Sequence, residues 1–308
     1  MSWLSKLKSP KPPVAPKPVF DQPWRSVTWS ESNRKEMLRK LKGFQPGTTE
    51  VHELKILLHG PVGAGKSSFI NSVNTVLQGH NTSTALANSA AGKSFTKEFN
   101  YHRLKKDGPG SFYPFVFIDI MGLEAEVSSG VHSDDIIKIL QGHVKGGYSF
   151  NPFKPIAKDN TKYLSNPSLK DKVHCLVTVV PGDRISLIPD EVIQKMKAVR
   201  EKARELGIPQ VIIMSHVDRA CLLVKENLNK IYTSRKIKEK MEECSYKLGV
   251  PMNCIFPVLN YHEQITSDMN MDLLILMAIT DIIQFTNEYV EDQVYNTNQY
   301  AEGQVHNE

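Results

Sequence analysis

A glycine-rich segment at residues 60–67 has the residue types and spacing of a phosphate-binding loop. It reads GPVGAGKS and fits the pattern GxxxxGK[ST] in full. Glycines allow a tight loop whose successive backbone N–H groups point inward, and these groups bind phosphate oxygens at the N-terminus of the following helix. Contacts to a nucleotide are expected from Gly60, Gly63, Ala64, Gly65, Lys66, Ser67 and Ser68.

The end of this motif and the end of a second apolar strand together predict a magnesium site. In such loops the lysine neutralises β- and γ-phosphate oxygens, and the Ser or Thr hydroxyl binds Mg²⁺. These positions are Lys66 and Ser67 here, and the second strand ends in Asp119-Ile-Met-Gly122. In a parallel sheet Asp119 would lie beside Ser67 and bind a water of the metal. The N–H of Gly122 would then reach the γ-phosphate.

A third metal ligand is expected from the loop that follows the first helix after the motif. In switching NTPases a threonine in this loop usually closes over the metal. Thr82, Thr84 and Thr96 are available, and Thr96 is preferred because it stands at the start of the next predicted strand. The predicted metal ligands are therefore Ser67, Thr96 and Asp119.

The base of the nucleotide would be recognised after a later buried strand. GTPases use [NT]KxD at this point, where the Asp accepts hydrogen bonds from guanine and the long side chain stacks on the ring. Here the strand ends in Ser-His-Val-Asp, so that His216 would stack and Asp218 would accept. Ser215 could tie this loop to the phosphate loop through its hydroxyl. The segment Val258-Leu259-Asn260-Tyr261 would close the base site, and Asn260 is its candidate contact.

The elements that must position these residues alternate along the chain. Apolar or alternating runs predict strands, including exit loops, over 54–60, 95–104, 112–120, 173–180, 209–218 and 252–258. Helices are predicted over 30–43, 66–77, 133–144, 189–206, 234–248 and 271–294. Strands separated by helix-length connections favour a parallel sheet covered on both faces. The expected fold is α/β, a three-layer P-loop G domain with a mainly parallel, doubly wound sheet.

The ends of the chain differ in composition from this body. Residues 1–50 hold ten Lys or Arg residues against four acidic ones, and five prolines stand within 9–18. We predict a disordered basic tail over 1–22, or alternatively an SH3-type ligand there, followed by an extension with a short helix over 23–50. The P-loop G domain would cover 51–294, and a flexible polar tail 295–308.

Composition excludes several other classes. The formal charge is +5, and because residues 1–50 carry +6 the remainder is nearly neutral, which gives no support for nucleic-acid binding. Four cysteines without paired Cys/His spacing favour reduced structural thiols over disulfides or zinc. The N-terminus resembles no signal peptide, and no stretch reaches the roughly 20 apolar residues of a membrane span. We expect no transmembrane segment and a cytoplasmic location.

The order of these motifs resembles one family in particular. GPVGAGKSS followed by FINSV, then DIMG, SHVD, PVLNY and the early segment PWRSVTW are similar to the interferon-induced protein 44 family over residues 20–290. Longer relatives carry an N-terminal TLDc-type domain, so this chain would be a short form. The resemblance implies an interferon-inducible, cytoplasmic, GTPase-like protein tied to antiviral responses.

Turnover of GTP would need an oriented water and further neutralisation of charge. The residue after the switch glycine is Leu123, which cannot hold a water, and no residue is an obvious arginine finger. We assign no catalytic residue. Two hypotheses remain, a slow GTPase and a nucleotide-binding scaffold with little turnover, and a P-loop kinase or ATPase is a weaker third. Both the slow GTPase and the scaffold would bind GTP or GDP with Mg²⁺. Each would act through an unidentified protein partner or through self-association of the G domain.

Overall fold

A six-stranded sheet forms the centre of the molecule. The computed structural model describes residues 18–82, 98–106, 108, 110–126, 129–264 and 266–305. The strands are β1 (Leu54–His59), β2 (Asn100–Lys105), β3 (Phe112–Asp119), β4 (Cys175–Pro181), β5 (Gln210–Ser215) and β6 (Ile255–Pro257). Their order in the sheet is β2-β3-β1-β4-β5-β6, with β2 antiparallel to β3 and the other pairs parallel. This architecture confirms the predicted α/β fold.

Helices cover both faces of the sheet. They are α1 (Glu31–Gly43), α2 (Lys66–Gln78), α3 (Ser133–Leu140), α4 (Asp190–Glu205), α5 (Val217–Ala220), α6 (Leu222–Glu226), α7 (Arg235–Leu248) and α8 (Met269–Val305). α8 packs against α1 and α2, whereas α4 packs against α3 and α7. The predicted start of α1 is confirmed, because the Ser30 side chain accepts a hydrogen bond from the N–H of Asn33.

The central strands carry few polar residues because helices bury them on both sides. Every residue of β4 is buried, and β1 is buried except for Lys55. The register of β1 with β3 pairs Leu58 with Asp119. The carboxyl end of β3 therefore lies directly beside the end of β1, where the glycine-rich loop begins.

The N-terminal boundary differs from the sequence-based prediction. We predicted disorder through residue 22, but Val19 forms a bridge with Ser234, and the N–H of Phe20 donates to the carbonyl of Thr233 at 2.8 Å. The guanidinium of Arg235 lies 4.1 Å from the centre of the Phe20 ring. Backbone pairing and this cation–π contact hold the segment from residue 18 onwards, and residues 1–17 of the predicted tail lie outside the described part of the chain.

The C-terminal helix is longer than predicted. α8 continues to Val305, past the boundary at 294 where we expected a polar tail. By length and composition the stretch Met269–Gln299 could span a membrane, contrary to our reading of the sequence, but its most apolar part is 61% buried inside the domain. A core helix meets the same criteria, so this feature is weak evidence for a membrane segment.

Candidate functional site

The glycine-rich loop connects β1 to α2 in backbone conformations that require glycine. Gly60 has φ +139°, and a Cβ atom there would lie 2.1 Å from the carbonyl oxygen of Val179 on the neighbouring strand β4. Gly65 caps the start of α2 with φ +91°. Side chains are strongly disfavoured at both positions. The loop therefore adopts the strand–loop–helix arrangement that aims backbone N–H groups and the positive end of a helix at an anion.

Lys66 folds back over this loop and is buried. Its Nζ donates to the carbonyls of Gly60 and Pro61, both at 3.2 Å. Burial lowers the pKa of Lys66 from its ordinary value, and the carboxylate of Asp119 opposes that shift. Among the residues that the structure describes, no carboxylate forms an ion pair with this ammonium. A buried cation paired only with neutral carbonyls is costly, and a bound phosphate would supply the missing countercharge.

Ser67 and Asp119 are brought together as predicted. The Ser67 Oγ donates to the Asp119 Oδ2 at 2.5 Å, because the register of β1 with β3 places Asp119 at the first turn of α2. The second carboxylate oxygen, Oδ1, is buried and has no hydrogen-bond partner within the described residues. A hydroxyl and a carboxylate with a spare buried oxygen are the hard oxygen ligands that Mg²⁺ prefers. These two residues therefore fit a magnesium ion.

The segment after β3 is pressed against the phosphate loop. The N–H of Leu123 donates to the carbonyl of Gly60 at 3.0 Å, and the N–H of Val62 donates to the carbonyl of Leu123 at 3.3 Å. A Cβ atom on Gly122 would lie 2.4 Å from the Val62 Cγ2. Gly122 is thus needed for this close approach, whereas contact between its N–H and a phosphate stays a prediction. The Leu123 side chain is buried and offers no polar atom to a water.

The loop after β5 is tied to the phosphate loop through Ser215. Its buried Oγ donates to the carbonyl of Ala64 at 2.6 Å, as its position in the sequence suggested. His216 follows in the left-handed conformation, with φ +54°. Burial lowers the pKa of its imidazole, and the Asp183 carboxylate, whose Oδ1 is 3.5 Å from the His216 Nδ1, acts in the opposite direction. Asp218 is half-buried in α5, and its contact with a base stays a prediction.

Asn260 also faces the phosphate loop. Its Nδ2 donates to the carbonyl of Gly65 at 3.3 Å, and its Oδ1 is buried without a hydrogen-bond partner in the part of the chain that is described. The next residue is fixed as well, because the N–H of Tyr261 donates to the Ser72 Oγ of α2 at 2.9 Å. The loop after β6 therefore lies against the start of α2, on the same edge of the sheet as the predicted base-reading loop.

Two remaining predictions concern α2 and the loop that follows it. Ser68 lies half-buried in the first turn of α2, and its carbonyl accepts a hydrogen bond from the Ser72 Oγ at 2.7 Å. Thr82 contacts the middle of α2, where its N–H donates to the Thr75 Oγ1 at 3.2 Å. Thr96, the preferred third metal ligand, and Thr84 lie outside the described residues.

Sequence reasoning missed two charged residues, Asp183 and Arg184, in the turn that follows β4. The Nη2 of Arg184 lies 3.7 Å from the position that a Cβ on Gly63 would occupy. The signal that could have found them is their place at the carboxyl end of a buried strand. Side chains at the carboxyl ends of central parallel strands converge on the ligand site of such sheets, and β4 is the direct neighbour of β1.

The sheet order, the loop between β1 and α2, and the polar residues at the carboxyl ends of β3 and β5 define a P-loop α/β domain of the GTPase type. No family model matches the chain. Its sequence is 34% identical over 259 residues to human interferon-induced protein 44, which covers 84% of this chain and 58% of that protein. For human interferon-induced protein 44-like the identity is 31% over 268 residues, 87% of this chain and 59% of that protein.

The mouse interferon-induced protein 44 matches in the same way, at 32% identity over 84% of this chain and 61% of its own length. The resemblance noted above is thereby confirmed, and the matched part of this chain is homologous to the interferon-induced protein 44 family. The chain spans about 60% of the length of these curated relatives.

Solved structures resemble the domain only distantly. A probable GTP-binding protein engB is 14% identical with a TM-score of 0.42, and the match covers 76% of this chain and 99% of that one. Toc33 from Arabidopsis thaliana, solved in complex with Mg²⁺ and GMPPNP, is 13% identical with a TM-score of 0.47, over 84% of this chain and 92% of that one. The site assignment therefore depends on the geometry of this chain.

Proposed function

We propose that this chain binds a nucleoside di- or triphosphate with Mg²⁺ at the glycine-rich loop, and that the nucleotide is GTP or GDP. The observation that carries the proposal is the buried Lys66, which has no carboxylate partner among the described residues and lies beside the Ser67–Asp119 pair. Phosphate oxygens would neutralise the lysine, and Ser67 and Asp119 would hold the metal. When bound, the metal supplies neutralisation of charge on the phosphates.

The guanine preference rests on the loop after β5. Ser215 fastens that loop to Ala64, and Asp218 follows three residues later, in α5. A carboxylate accepts hydrogen bonds from N1 and N2 of guanine, whereas N1 of adenine carries no donor. The imidazole of His216, whose side chain is 21% exposed, is assigned the stacking role. Asn260 would close the site from the loop after β6.

Turnover is proposed to be slow. Leu123 is only 1% exposed and is tied by its backbone to Gly60, so this position offers no group that could orient an attacking water. The same observation supports the second candidate function, a scaffold that binds nucleotide and hydrolyses little of it. Phosphate release that is abolished by Lys66→Ala would support the slow GTPase, and its absence from the wild-type protein would support the scaffold.

Calorimetric titration with GDP and Mg²⁺ tests the proposal. We expect Lys66→Ala to weaken binding at least about tenfold, a difference of about 1.4 kcal/mol. The matched control is Lys158→Ala, an exposed lysine far along the chain from the site, which should leave affinity unchanged. Equal affinity of wild type and a folded Lys66→Ala protein would refute the phosphate-loop assignment. Removal of Mg²⁺ with a chelator should weaken wild-type binding and have less effect on Asp119→Ala.

The biological setting is proposed from the relatives, which are named interferon-induced proteins. We infer that expression of this chain also rises after interferon treatment, that it serves an antiviral response, and that it resides in the cytoplasm. It would act through a protein partner or a second copy of itself. Measurement of its transcript with and without interferon tests the first step, and an unchanged level would contradict it.

A further inference from the structure

Arg184 stands at the edge of the phosphate loop, in a turn of residues 181–184 that follows β4. Its Nη2 lies 3.7 Å from the Cβ position of Gly63, which is in the middle of the loop. Within the described part of the chain its two Nη groups have no hydrogen-bond partner. The nearest carboxylate belongs to Asp183, whose Oδ2 is 3.7 Å from the Arg184 Nε, longer than a hydrogen bond. The two Nη groups of this half-exposed arginine are thus available to donate hydrogen bonds beside the loop.

The backbone of the turn is anchored at two points. The N–H of Gly182 donates to the carbonyl of Ser215 at 2.9 Å, and the N–H of Arg184 donates to the carbonyl of Pro181 at 3.1 Å. A Cβ on Gly182 would lie 3.0 Å from the Met214 Cγ, so β5 packs closely against the turn. Because the Ser215 hydroxyl in turn donates to the carbonyl of Ala64, these bonds link the backbone of the turn that holds Arg184 to the phosphate loop.

Asp183 orients the arginine from the opposite side. One carboxylate oxygen faces the His216 Nδ1 at 3.5 Å, and the other faces the Arg184 Nε at 3.7 Å. The Asp183 side chain is 17% exposed, whereas that of Arg184 is 50% exposed. The partly buried Asp183 carboxylate therefore attracts the Nε side of the guanidinium, while the Nη2 lies near the loop at Gly63.

We propose that Arg184 is a ligand of the phosphate chain, supplied by the same molecule that provides the loop; the inference rests on the proposed nucleotide binding. Lys66 lies inside the loop against the carbonyls of Gly60 and Pro61, and Arg184 lies outside it at Gly63. The two cations would contact the phosphates from different sides. A guanidinium forms short, charge-assisted and often bidentate hydrogen bonds to phosphate, which an ammonium cannot reproduce. Lysines at the Lys66 position reach the β- and γ-phosphates of the nucleotide. Because Arg184 lies beside the same loop, its guanidinium would face these phosphates as well.

The test compares wild type and Arg184→Ala in equilibrium binding of GMP, GDP and a non-hydrolysable GTP analogue, each with Mg²⁺. We expect the loss of affinity to grow with the number of phosphates, from little change for GMP to about tenfold or more for the triphosphate. Arg184→Lys should recover part of the loss, since it keeps the charge without the fork. The matched control is Arg219→Ala, an exposed arginine of α5 near the base-reading loop, which should show no dependence on phosphate number.

Three results would overturn the inference. They are unchanged affinities in Arg184→Ala, equal losses for GMP and the triphosphate, and a loss that Arg219→Ala reproduces. Each of them leaves nucleotide binding by the wild-type protein intact and contradicts only the role of Arg184. Failure of the wild-type protein to bind any of the three nucleotides would instead refute the proposed function itself.

Discussion

The Ser215 Oγ donates to the carbonyl of Ala64 at 2.6 Å, across 151 residues of sequence. This bond joins the loop that would read the base to the loop that would hold the phosphates, and both of its atoms are in the buried core of the site. The bond therefore helps to fix the distance between the two halves of the proposed nucleotide site.

Ser215→Ala should weaken binding of GDP by about tenfold while the domain stays folded. Loss of a buried hydrogen bond leaves the Ala64 carbonyl without its partner, at a cost of about 1–3 kcal/mol. The measurement is GDP titration together with thermal unfolding in the presence and absence of nucleotide. Ser234 is not a suitable control because it caps α7, so the exposed Ser186→Ala is used. An unaltered GDP affinity in Ser215→Ala would show that the loops are held together by other contacts.

Asp218 should determine the choice of base. We expect GTP and GDP to bind at least about tenfold more tightly than ATP, because adenine would leave the carboxylate unpaired. Asp218→Asn should shift preference towards xanthine nucleotides, whose C2 carbonyl accepts from the new amide. Displacement of labelled GDP by GTP, ATP and XTP measures this directly. Asp159→Asn, an exposed acid elsewhere, serves as control, and equal displacement by ATP and GTP in the wild type would refute the guanine assignment.

His174 should make folding stability depend on pH. The N–H of Lys55 donates to its Nδ1 at 2.9 Å, and its Nε2 donates to the carbonyl of Leu169 at 2.9 Å, which requires the neutral imidazole. Burial lowers the pKa of His174 to about 4. In the unfolded chain His174 takes up a proton near the ordinary histidine pKa of about 6.5. The stability that the neutral imidazole adds to the folded state is therefore complete above that pH and is lost as pH falls towards 4.

The expected loss from His174 is on the order of 3 kcal/mol at most, and it is measured as the free energy of unfolding in denaturant between pH 7 and pH 4. His174→Gln should show a shallower decline over this range than the wild type. His262→Gln, at an exposed position, should follow the wild-type curve. Parallel curves for wild type and His174→Gln would contradict the role of this imidazole.

Trp24 should stabilise the domain from outside the sheet. Its ring packs edge-on against Tyr232 and Phe20, with centroids 5.7 and 5.8 Å away, and the backbone N–H of Trp24 donates to the carbonyl of Tyr232 at 3.1 Å. We expect Trp24→Ala to lower the free energy of unfolding by about 2–4 kcal/mol, because it removes a large, partly buried ring. Phe153→Ala, whose ring is 75% exposed, should change it by less than about 0.5 kcal/mol. Similar effects of the two substitutions would place the segment around Trp24 outside the cooperative fold.

The phosphate loop, most strands and the start of the first helix could be predicted because each depends on the types of a few neighbouring residues. The phosphate loop needs glycine at Gly60 and Gly65, and apolar runs between turn residues predicted β1, β3, β4 and β5. Ser30, a typical N-cap residue, predicted the start of α1. The pairing of Ser67 with Asp119 also followed from sequence, because strands that alternate with helices form a parallel sheet whose carboxyl ends meet at one edge.

Contacts between distant segments were decided only by the tertiary structure. Arg184 reaches the phosphate loop because β4 lies next to β1, and Asn260 faces Gly65 across 195 residues of sequence. The docking of Phe20 onto Arg235 contradicted a composition that is typical of disorder. The type of a residue determines what chemistry its side chain can do. Which residue it contacts depends on strand order and register. These are set by burial of the whole sheet and leave no local pattern in the sequence.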